Sequence, residues 1–316
     1  MVGALRVVFF GTPRFAVPTL EALIDSHHDV VGVVTQPDSP RGRGQKLTAA
    51  PVKAAAAARG LPIVQPATLR EPGVEAAFSS WRPDLGVVAA YGQLIPSWLL
   101  NLPRLGMINV HPSLLPKYRG AAPVHRAVIA GERETGVTIM RVAPKLDAGA
   151  MFAATVRPIG SDETSEELEE ALASIGAGLL VEVADAMAAG TAHEAPQDDA
   201  LATYASRLTK EEGLIDWTLS ARRIHDRVRG LFPWPHAYSY VDGRRVIVWK
   251  TTPTAIDTKA SPGTVIHAGV DGVHVAAGDG RVLALVDLQP ENGRPMPAAD
   301  FLRGHPVLAG ARFAGP

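Results

Sequence analysis

Two side chains that can do chemistry lie where an apolar segment of the sequence turns polar. Residues 105–110 are predicted to form a strand, and side chains alternate faces along a strand, so Asn109 and His111 should share one side. The Asn109 carboxamide can donate to a developing oxyanion, and the His111 imidazole can move or stabilise a proton. In open α/β sheets the carboxyl ends of strands present catalytic side chains, so this segment is a candidate active site.

A second strand-like run, residues 136–142, leads into a turn that holds Asp147 before Gly149. An Asp next to a small residue and a glycine is often only part of a turn, and a single His at a strand end is more often structural than catalytic. Together with Asn109 and His111, however, the Asp147 carboxylate can orient the imidazole or raise its pKa. These three residue types form a set that suits acyl-group transfer.

The composition is that of a globular protein large enough for two domains. The chain has 316 residues, of which 47% are hydrophobic and 20% are charged. It has no cysteine, which excludes disulfides and thiolate metal sites, and its ten histidines show no ligand-like spacing, so we expect no metal. No uninterrupted apolar run approaches the roughly 20 residues that span a bilayer, and the N-terminus does not resemble a secretion signal. We therefore expect a cytoplasmic protein without membrane contact.

The net charge of −1 gives no general attraction to nucleic acid, so RNA binding would need local clusters of cations. One cluster, in a glycine-rich loop, consists of Arg41, Arg43 and Lys46. A solvated surface loop is the commoner explanation of such a pattern. A second cluster lies in a helix predicted over residues 219–230, with one apolar side and one basic side. Its basic residues are Arg222, Arg223, Arg227 and Arg229, and a solvated amphipathic face explains them equally well.

The first half of the chain alternates predicted strands and helices, which is typical of a doubly wound parallel sheet. Four near-continuous apolar runs predict buried parallel strands: residues 5–10, 30–35, 85–90 and 105–110. Helices are predicted over residues 15–24, 52–59, 71–80 and 164–189. The residues after the first strand lack the Gly-x-Gly-x-x-Gly spacing of a dinucleotide-binding loop, so no such site is assigned.

After residue 190 the pattern changes. Residues 191–206 are assigned to a linker, because the stretch 191–203 shows no helical or strand period. Five short β-like segments follow the basic helix: residues 237–241, 245–249, 263–267, 273–276 and 282–288. Asp-Gly pairs such as Asp242-Gly243 separate several of them and favour tight hairpin turns. The sequence therefore predicts one domain over residues 1–190 and a small β-barrel over residues 207–316.

Several motifs, in order along the chain, resemble those of the folate-dependent formyltransferases. The segment with Asn109 and His111 continues as Pro112-Ser113-Leu114-Leu115-Pro116, and the second strand leads to Leu146-Asp147-Ala148-Gly149. Other matching segments extend the resemblance over about residues 5–290; they are Phe10-Gly11-Thr12-Pro13, Thr35-Gln36-Pro37-Asp38, Gly42-Arg43-Gly44, Ala90-Tyr91-Gly92, Arg119-Gly120-Ala121-Ala122-Pro123, Ile215-Asp216-Trp217 and Phe232-Pro233-Trp234-Pro235. Each motif alone is weak, but their order over the whole chain is specific.

This resemblance implies an activity, a co-substrate and roles for particular residues. The pattern is closest to family members that transfer the formyl group of 10-formyltetrahydrofolate to the α-amine of methionyl initiator tRNA, for translation initiation. It implies an α/β fold, with a doubly wound, Rossmann-like formyltransferase domain that binds folate and an OB-fold-like β-barrel that binds tRNA. Asn109, His111 and Asp147 would be catalytic. The folate pocket would be lined by Ala90, Tyr91, Gly92, Ser113, Leu114, Leu115 and Pro116. A monomer would bind tRNA through Arg41, Arg43, Lys46, Arg222, Arg223 and Arg227.

One position departs from the family pattern, and other functions stay open. Family members commonly carry Asp after the Leu-Asp-x-Gly motif, whereas this chain has Ala150. A relative that formylates an amino sugar or a purine precursor would keep the same catalytic set. The basic glycine-rich loop favours RNA over the sugar, and the second domain argues against the purine precursor. A relative that hydrolyses its folate is a further alternative, and an RNA-binding protein without chemistry would not need Asn109, His111 and Asp147.

Overall fold

Each of two compact units takes several separate segments of the chain. A computed structural model describes residues 3–41 and 46–315. Unit 1 consists of Met1–Gly120, Glu134–Pro158 and Glu169–Tyr204, and unit 2 consists of Ala121–Arg133, Ile159–Leu168 and Ala205–Pro316. The division into residues 1–190 and 207–316 remains a prediction. Unit 2 nevertheless takes two short segments from within residues 1–190.

Unit 1 contains a seven-stranded sheet and a short hairpin. The strands of this part of the chain are β1 (Arg6–Gly11), β2 (Asp29–Val34), β3 (Ser39–Arg41), β4 (Lys46–Thr48), β5 (Ile63–Val64), β6 (Leu85–Ala89), β7 (Met107–His111), β8 (Arg119–Gly120), β9 (Glu134–Arg141) and β10 (Met151–Pro158). The sheet order is β10-β9-β7-β6-β1-β2-β5, and β3 pairs with β4 separately. Five neighbouring strands of this sheet, β5, β2, β1, β6 and β7, run parallel to one another. The strands β9 and β10 are antiparallel additions at one edge. The strand β7 therefore has one parallel and one antiparallel neighbour.

The parallel strands are buried on both faces, as their apolar sequences predict. Val7, Val8, Phe9 and Phe10 of β1 are fully buried, and every residue of β6 is buried. Burial of each such Val or Phe side chain stabilises the fold by roughly 1.5–3 kcal/mol. The helices of the chain are α1 (Val17–Asp25), α2 (Pro51–Ala58), α3 (Val74–Ser80), α4 (Ser97–Leu100), α5 (Pro123–Ala130), α6 (Ser165–Ala189), α7 (Ala221–Gly230) and α8 (Ala298–Gly304). Because the parallel strands beside β7 are buried, β7 lies in a rigid part of the sheet.

The helix α6 has 25 residues and carries Glu166 and Glu167 in its first turn, where acidic side chains interact favourably with the helix dipole. By length and composition alone this helix could cross a membrane, but core helices of globular proteins pass the same test. The sequence expectation considered only uninterrupted apolar runs and did not single it out. Leu172, Leu180 and Ala184 of α6 are fully buried in the protein. Their burial makes α6 a packing element.

Unit 2 is built on a small antiparallel sheet. The strands in the last third of the chain are β11 (Tyr204–Ala205), β12 (Ala237–Val241), β13 (Arg244–Asp257), β14 (Val265–Gly269), β15 (Gly272–Ala276), β16 (Arg281–Pro290) and β17 (Met296–Pro297). The sheet order is β12-β13-β16-β15-β14, with β17 on β16. Asp242 and Gly243 join β12 to β13 with φ of +50° and +72°, which is the tight hairpin turn that this pair predicts. Ile224 and Val228 of α7 belong to the core of this unit.

The expected fold class is confirmed, since a Rossmann-like α/β unit is joined to a small antiparallel β unit. Several elements differ from the sequence predictions, among them α5, β10 and β13. The helix α5 was not predicted, and in unit 2 its Ile129 contacts Gly230 of α7. The strand β10 was not predicted either, because its residues alternate between partial burial and exposure and lack a continuous apolar run. The strand β13 extends well beyond residues 245–249.

Candidate active site

The strand β7 places the two predicted side chains between its neighbouring strands. Asn109 lies opposite Val88 of β6 on one side and opposite Met140 of β9 on the other. His111 is the last residue of β7 and lies opposite Thr138 of β9. Because Asn109 and His111 are two residues apart in one strand, they lie on the same face of the sheet, as the sequence predicts.

The His111 ring is buried and fixed by a backbone carbonyl. Its side chain is only 4% exposed, and Nε2 lies 3.0 Å from the Tyr118 carbonyl oxygen. A carbonyl oxygen can only accept, so Nε2 carries the proton and Nδ1 of the neutral ring keeps its lone pair. Burial lowers the pKa of His111, although the charge of Asp147 and the Tyr118 carbonyl oppose that shift. His111 is therefore neutral near pH 7, and Nδ1 is its proton-accepting atom.

Asp147 faces that atom without touching it. Its Oδ2 lies 3.8 Å from His111 Nδ1, which is longer than a direct hydrogen bond. The same oxygen accepts a hydrogen bond of 2.8 Å from the Gly120 backbone N–H. The φ angle of Asp147 is +47°, in the left-handed region that Asp tolerates better than most residues. Asp147 thus acts on His111 through its charge, which favours the protonated imidazole.

Asn109 completes the set with a side chain that can still donate. The residue is half-buried, and its carboxamide has no hydrogen-bond partner among the residues that the structure describes. A half-buried amide donor on the face of a rigid strand can bind an oxygen that gains negative charge. The Asn109, His111 and Asp147 set can therefore receive a proton and stabilise an oxyanion.

The loop after β6 offers backbone groups to the predicted folate pocket. Ala90 and Gly92 are exposed, with φ of +46° and +88°, so the chain turns sharply at the carboxyl end of β6. The Tyr91 side chain is 1% exposed and packs edge to face on Phe10, at 5.5 Å between ring centroids. Burial raises the pKa of Tyr91 to about 12. Only the backbone of Tyr91 therefore lies at the rim, and its carbonyl accepts hydrogen bonds from Thr12 and Gln36.

The loop after β7 is held by its own polar groups. Ser113 is fully buried, and its hydroxyl donates to the Lys117 carbonyl at 2.7 Å. The Thr138 hydroxyl donates to the Ser113 carbonyl at 2.7 Å and accepts from the Leu115 N–H at 3.2 Å. Leu115 is 8% exposed, whereas Leu114 and Pro116 are half-buried. Of the four predicted residues, Leu114 and Pro116 thus offer apolar surface, and Ser113 serves to fix the loop.

Two residues that organise the set were not singled out from the sequence. One is Tyr118, which acts on His111 through its carbonyl oxygen, and no side-chain pattern reveals a backbone contact. The other is Gln197, in the segment assigned to a linker, which donates to the backbone of Asp147 and Gly149. Ala150, where family members commonly have Asp, contributes its carbonyl oxygen to the Arg141 N–H at 2.8 Å.

A large cavity in unit 1 does not lie at His111. It has a volume of about 750 Å³ and is lined by Gly106, Met107 and Arg141, among others. These residues surround the start of β7. His111 is at the other end of this five-residue strand, roughly 13 Å away. Arg141 is bound there by Glu194 and by the Leu105 carbonyl.

The predicted tRNA-binding cations fall into two groups. Arg43 lies outside the described residues, and only the backbone of Arg41 and Lys46, at the ends of β3 and β4, is described. On α7, the half-exposed Arg222 pairs with Asp226 at 3.0 Å, and Arg227 donates to the Glu212 carbonyl at 3.0 Å. Arg223 is exposed, and its guanidinium has no partner among the described residues.

The alternative explanation, that all four arginines of α7 lie on a solvated face, is wrong for Arg229. Its side chain is 4% exposed and pairs with Asp226 at 2.7 Å. It also donates to the Glu163 carbonyl at 2.9 Å and to the Gly160 carbonyl. A buried guanidinium needs an ion pair and hydrogen bonds to offset its lost hydration, and this surrounding supplies both.

One group of possible metal ligands occurs in the described part of the chain, although the sequence showed no ligand-like spacing. His27, His28 and Asp185 place one donor atom each within 4.8 Å of one another. The Leu5 N–H donates to Nδ1 of the buried His28 at 3.3 Å, so the proton of the neutral ring is on Nε2, which faces Asp185 at 3.1 Å. A metal on Nε2 would move that proton to Nδ1, against the Leu5 N–H. This clash argues against a metal on Nε2, although His28 Nε2 and Asp185 Oδ1 make no hydrogen bond with each other.

Two protein-family descriptions match this chain. The chain matches the family description of formyl transferases over residues 5–184 and that of the formyl transferase C-terminal domain over residues 207–306. Methionyl-tRNA formyltransferase of Geotalea daltonii is 45% identical over 309 residues, which cover 98% of each chain. Methionyl-tRNA formyltransferase of Moorella thermoacetica is 45% identical over 306 residues, which cover 97% of this chain and 98% of the relative.

A solved structure shares the fold. It is an N-formyltransferase from Helicobacter canadensis in complex with folinic acid and dTDP-3-aminofucose. The superposition has a TM-score of 0.69 and covers 89% of this chain and 98% of that chain, at 18% sequence identity. At this identity the likeness concerns the architecture alone.

Proposed function

The chain belongs to the formyl transferase family, and on that premise we propose that it transfers the formyl group of 10-formyltetrahydrofolate to the α-amine of methionyl initiator tRNA. The observation that carries this proposal is the convergence of Asn109, His111 and Asp147 in a chain that matches both family domains. The relatives at 45% identity are named for this activity, and they match over nearly their whole length.

The reaction moves one carbon and requires two proton movements. The amine nitrogen forms a bond to the formyl carbon, and the bond between that carbon and the folate nitrogen breaks. A proton leaves the amine, and the folate nitrogen gains one. In this proposal His111 takes part through Nδ1, because Nε2 is already donating to Tyr118.

Asp147 and Asn109 act on the charges that develop. When His111 Nδ1 takes a proton, the Asp147 carboxylate, 3.8 Å away, stabilises the imidazolium. Asn109 donates to the formyl oxygen as it gains negative charge, since its carboxamide is otherwise unbound among the described residues. Both groups are held on rigid backbone, so little reorganisation is needed when the charge appears.

The folate is proposed to bind between the loops that follow β6 and β7. These strands are adjacent and parallel, so both loops leave the sheet at the same edge. Leu114 and Pro116 provide apolar surface, and the exposed turn at Ala90 and Gly92 brings backbone groups close to a ligand. Apolar walls with a few backbone groups suit a flat, polar-edged pterin ring. The residues present therefore fit the co-substrate.

The tRNA is proposed to contact the predicted basic residues, and Arg223 is the described one best placed to meet a phosphate. Arg222 and Arg227 are engaged within the protein, so each would have to exchange a partner before it could bind RNA. The monomeric state, the absence of a metal and the cytoplasmic location remain predictions.

A single assay with three acceptors tests the proposal. The purified protein is incubated with 10-formyltetrahydrofolate and charged methionyl initiator tRNA, a dTDP-linked amino sugar, or no acceptor. We expect formylmethionyl-tRNA and no appreciable product in the other two reactions. Formylation of the sugar alone would indicate a sugar enzyme, and release of formate without an acceptor would indicate a hydrolase. No turnover in any reaction would contradict a catalytic function.

A further inference from the structure

The turn that carries Asp147 is braced by a residue fifty positions away along the chain. We propose that Gln197 is a positioning residue for formyl transfer, which holds the Asp147 turn by two backbone carbonyls while Arg119 holds Gln197. The inference rests on the proposed function, because it takes Asp147 to serve that reaction.

The Gln197 carboxamide bridges the turn on either side of Ala148. Its Nε2 donates to the Asp147 carbonyl at 2.9 Å and to the Gly149 carbonyl at 2.8 Å. An amide nitrogen has two hydrogens, so both are used for this turn. The backbone around Asp147 is thereby fixed by a side chain that contacts neither Asp147 Oδ2 nor His111.

Arg119 sets the direction in which that amide points. Its Nε and Nη2 donate to Gln197 Oε1 at 3.0 and 2.7 Å, so the amide oxygen faces the guanidinium and the nitrogen must face the turn. Arg119 is fully buried, and its charge is balanced by Asp199, whose Oδ1 lies 2.7 Å from Nη2. Asp199 also reaches Lys145 at 2.5 Å, at the other side of the turn.

The same part of the chain holds the carboxylate itself. Gly120 follows Arg119, and its N–H donates to Asp147 Oδ2. The short strand β8 therefore holds the Asp147 carboxylate directly, through the Gly120 N–H. It holds the Asp147 backbone indirectly, through Arg119 and Gln197. This brace keeps Asp147 in its left-handed conformation, with the carboxylate facing His111. A shift of about 1 Å in such a group can lower a rate on the order of 100-fold.

Two substitutions at one position test the brace. Gln197→Ala removes all of its hydrogen bonds. Gln197→Glu keeps acceptor oxygens for Arg119 and removes the donors to Asp147 and Gly149. We expect both variants to lower kcat on the order of 10- to 100-fold while KM for folate and for tRNA changes by no more than about twofold. A change in KM alone, with kcat retained, would overturn the proposal.

A matched glutamine elsewhere controls for the loss of a bridging amide. Gln289 in unit 2 accepts from Trp249 Nε1 at 2.7 Å and donates to the Gly293 carbonyl at 3.0 Å. Gln289→Ala should leave kcat near the wild-type value. Melting temperatures are measured for all variants, and if Gln197→Ala does not fold, the conclusion rests on Gln197→Glu, whose charge is paired with Arg119.

A double-mutant cycle separates positioning from general stability. If Gln197 acts through Asp147, then Gln197→Ala should cost little further kcat in an Asp147→Asn background. Full additivity of the two losses would overturn the proposal. A wild-type protein without formyl transfer would instead contradict the proposed function, so the two failures are distinguishable.

Discussion

At the scale of single residues, the chemistry of the site depends on which atom of His111 is free. The Tyr118 carbonyl occupies Nε2, so the ring presents Nδ1 towards Asp147. Asp147 is too distant to orient the ring by a hydrogen bond, yet near enough to stabilise its charged form. The Tyr118 carbonyl thereby fixes which ring nitrogen carries the proton, and the Asp147 carboxylate makes protonation of the ring more favourable.

Removal of Asn109, the proposed oxyanion donor, should affect the rate far more than binding. We expect Asn109→Ala to raise the barrier by about 3 kcal/mol, or on the order of 100-fold in single-turnover rate. His111→Ala and Asp147→Asn should lower the rate by orders of magnitude while folate binding changes little. Asn101→Ala removes a hydrogen bond to the Ser97 carbonyl and is the matched control. An unchanged rate in the three site variants would show that they are not the catalytic set.

The pH dependence of kcat should report His111. Burial lowers the pKa of His111, so the neutral, proton-accepting ring should persist below the ordinary histidine range. We expect kcat to fall only when the pH drops below that range. Asp147→Asn removes a charge that favours the imidazolium, so the acidic limb of its residual activity should move to still lower pH. An acidic limb that moves to higher pH in Asp147→Asn would contradict the assignment of this limb to His111.

At the scale of elements, the turn that carries Asp147 follows β9, a strand of the antiparallel edge of the sheet. Because β9 runs against β7, the chain leaves β9 beside the start of β7 and must turn back over the sheet to place Asp147 near His111. Gly149 makes this close return possible. A Cβ on Gly149 would lie 1.9 Å from the Arg141 carbonyl oxygen, which is backbone and cannot swing aside.

Gly149→Ala should therefore distort the Asp147 turn. We expect a loss of roughly 1–3 kcal/mol in the free energy of unfolding, typical of forced overpacking, together with a reduced kcat. Gly178→Ala in α6 is the matched control, because nothing lies within 4 Å of its added Cβ and alanine favours a helix. Denaturant melts and single-turnover rates measure both effects. Equal stability of the two variants would refute the packing constraint.

At the scale of the whole molecule, a chain with a net charge of −1 must bind a polyanion through local cations. We expect Arg223→Ala to weaken tRNA binding and to reduce the slope of log binding constant against log salt by about 1, as the loss of one phosphate contact does. Arg303→Ala removes a comparably exposed arginine, paired with Asp300, and is the control. An unchanged salt slope in Arg223→Ala would place the tRNA elsewhere.

Stability should also depend on pH through buried and half-buried histidines. Burial lowers the pKa of five of them: His28, His111, His125, His225 and His236. The unfolded chain takes up these protons at higher pH than the folded protein does, so stability is full above the ordinary histidine pKa and is lost as the pH falls towards the lowered values.

Urea unfolding at pH 7.5 and pH 5.5 tests this expectation. The free energy of unfolding should be smaller at pH 5.5. His225 contributes through bonds to Thr251 and to the Ser161 carbonyl, each of 3.0 Å, so His225→Gln should reduce the difference between the two pH values. His193→Gln, at an exposed position, should leave the difference unchanged. Greater stability at pH 5.5 would contradict the prediction.

The sequence by itself determined the features that depend on local pattern. Apolar runs predicted β1, β2, β6 and β7 to within a few residues, because strands buried on both faces leave a continuous apolar signal. Alternation along β7 placed Asn109 and His111 on one face, and the Asp-Gly pair predicted the turn between β12 and β13. The ordered motifs also indicated the family.

Only the tertiary structure decided the features that depend on distant residues. Gln197 and Asp147 are fifty residues apart, and nothing in the composition near Gln197 indicates a contact with the site. The burial of Arg229 depends on carbonyls of Gly160 and Glu163, and the tautomer of His111 depends on the position of the Tyr118 carbonyl. Such contacts form between backbone and side chains that chain folding brings together, and local periodicity carries no record of them.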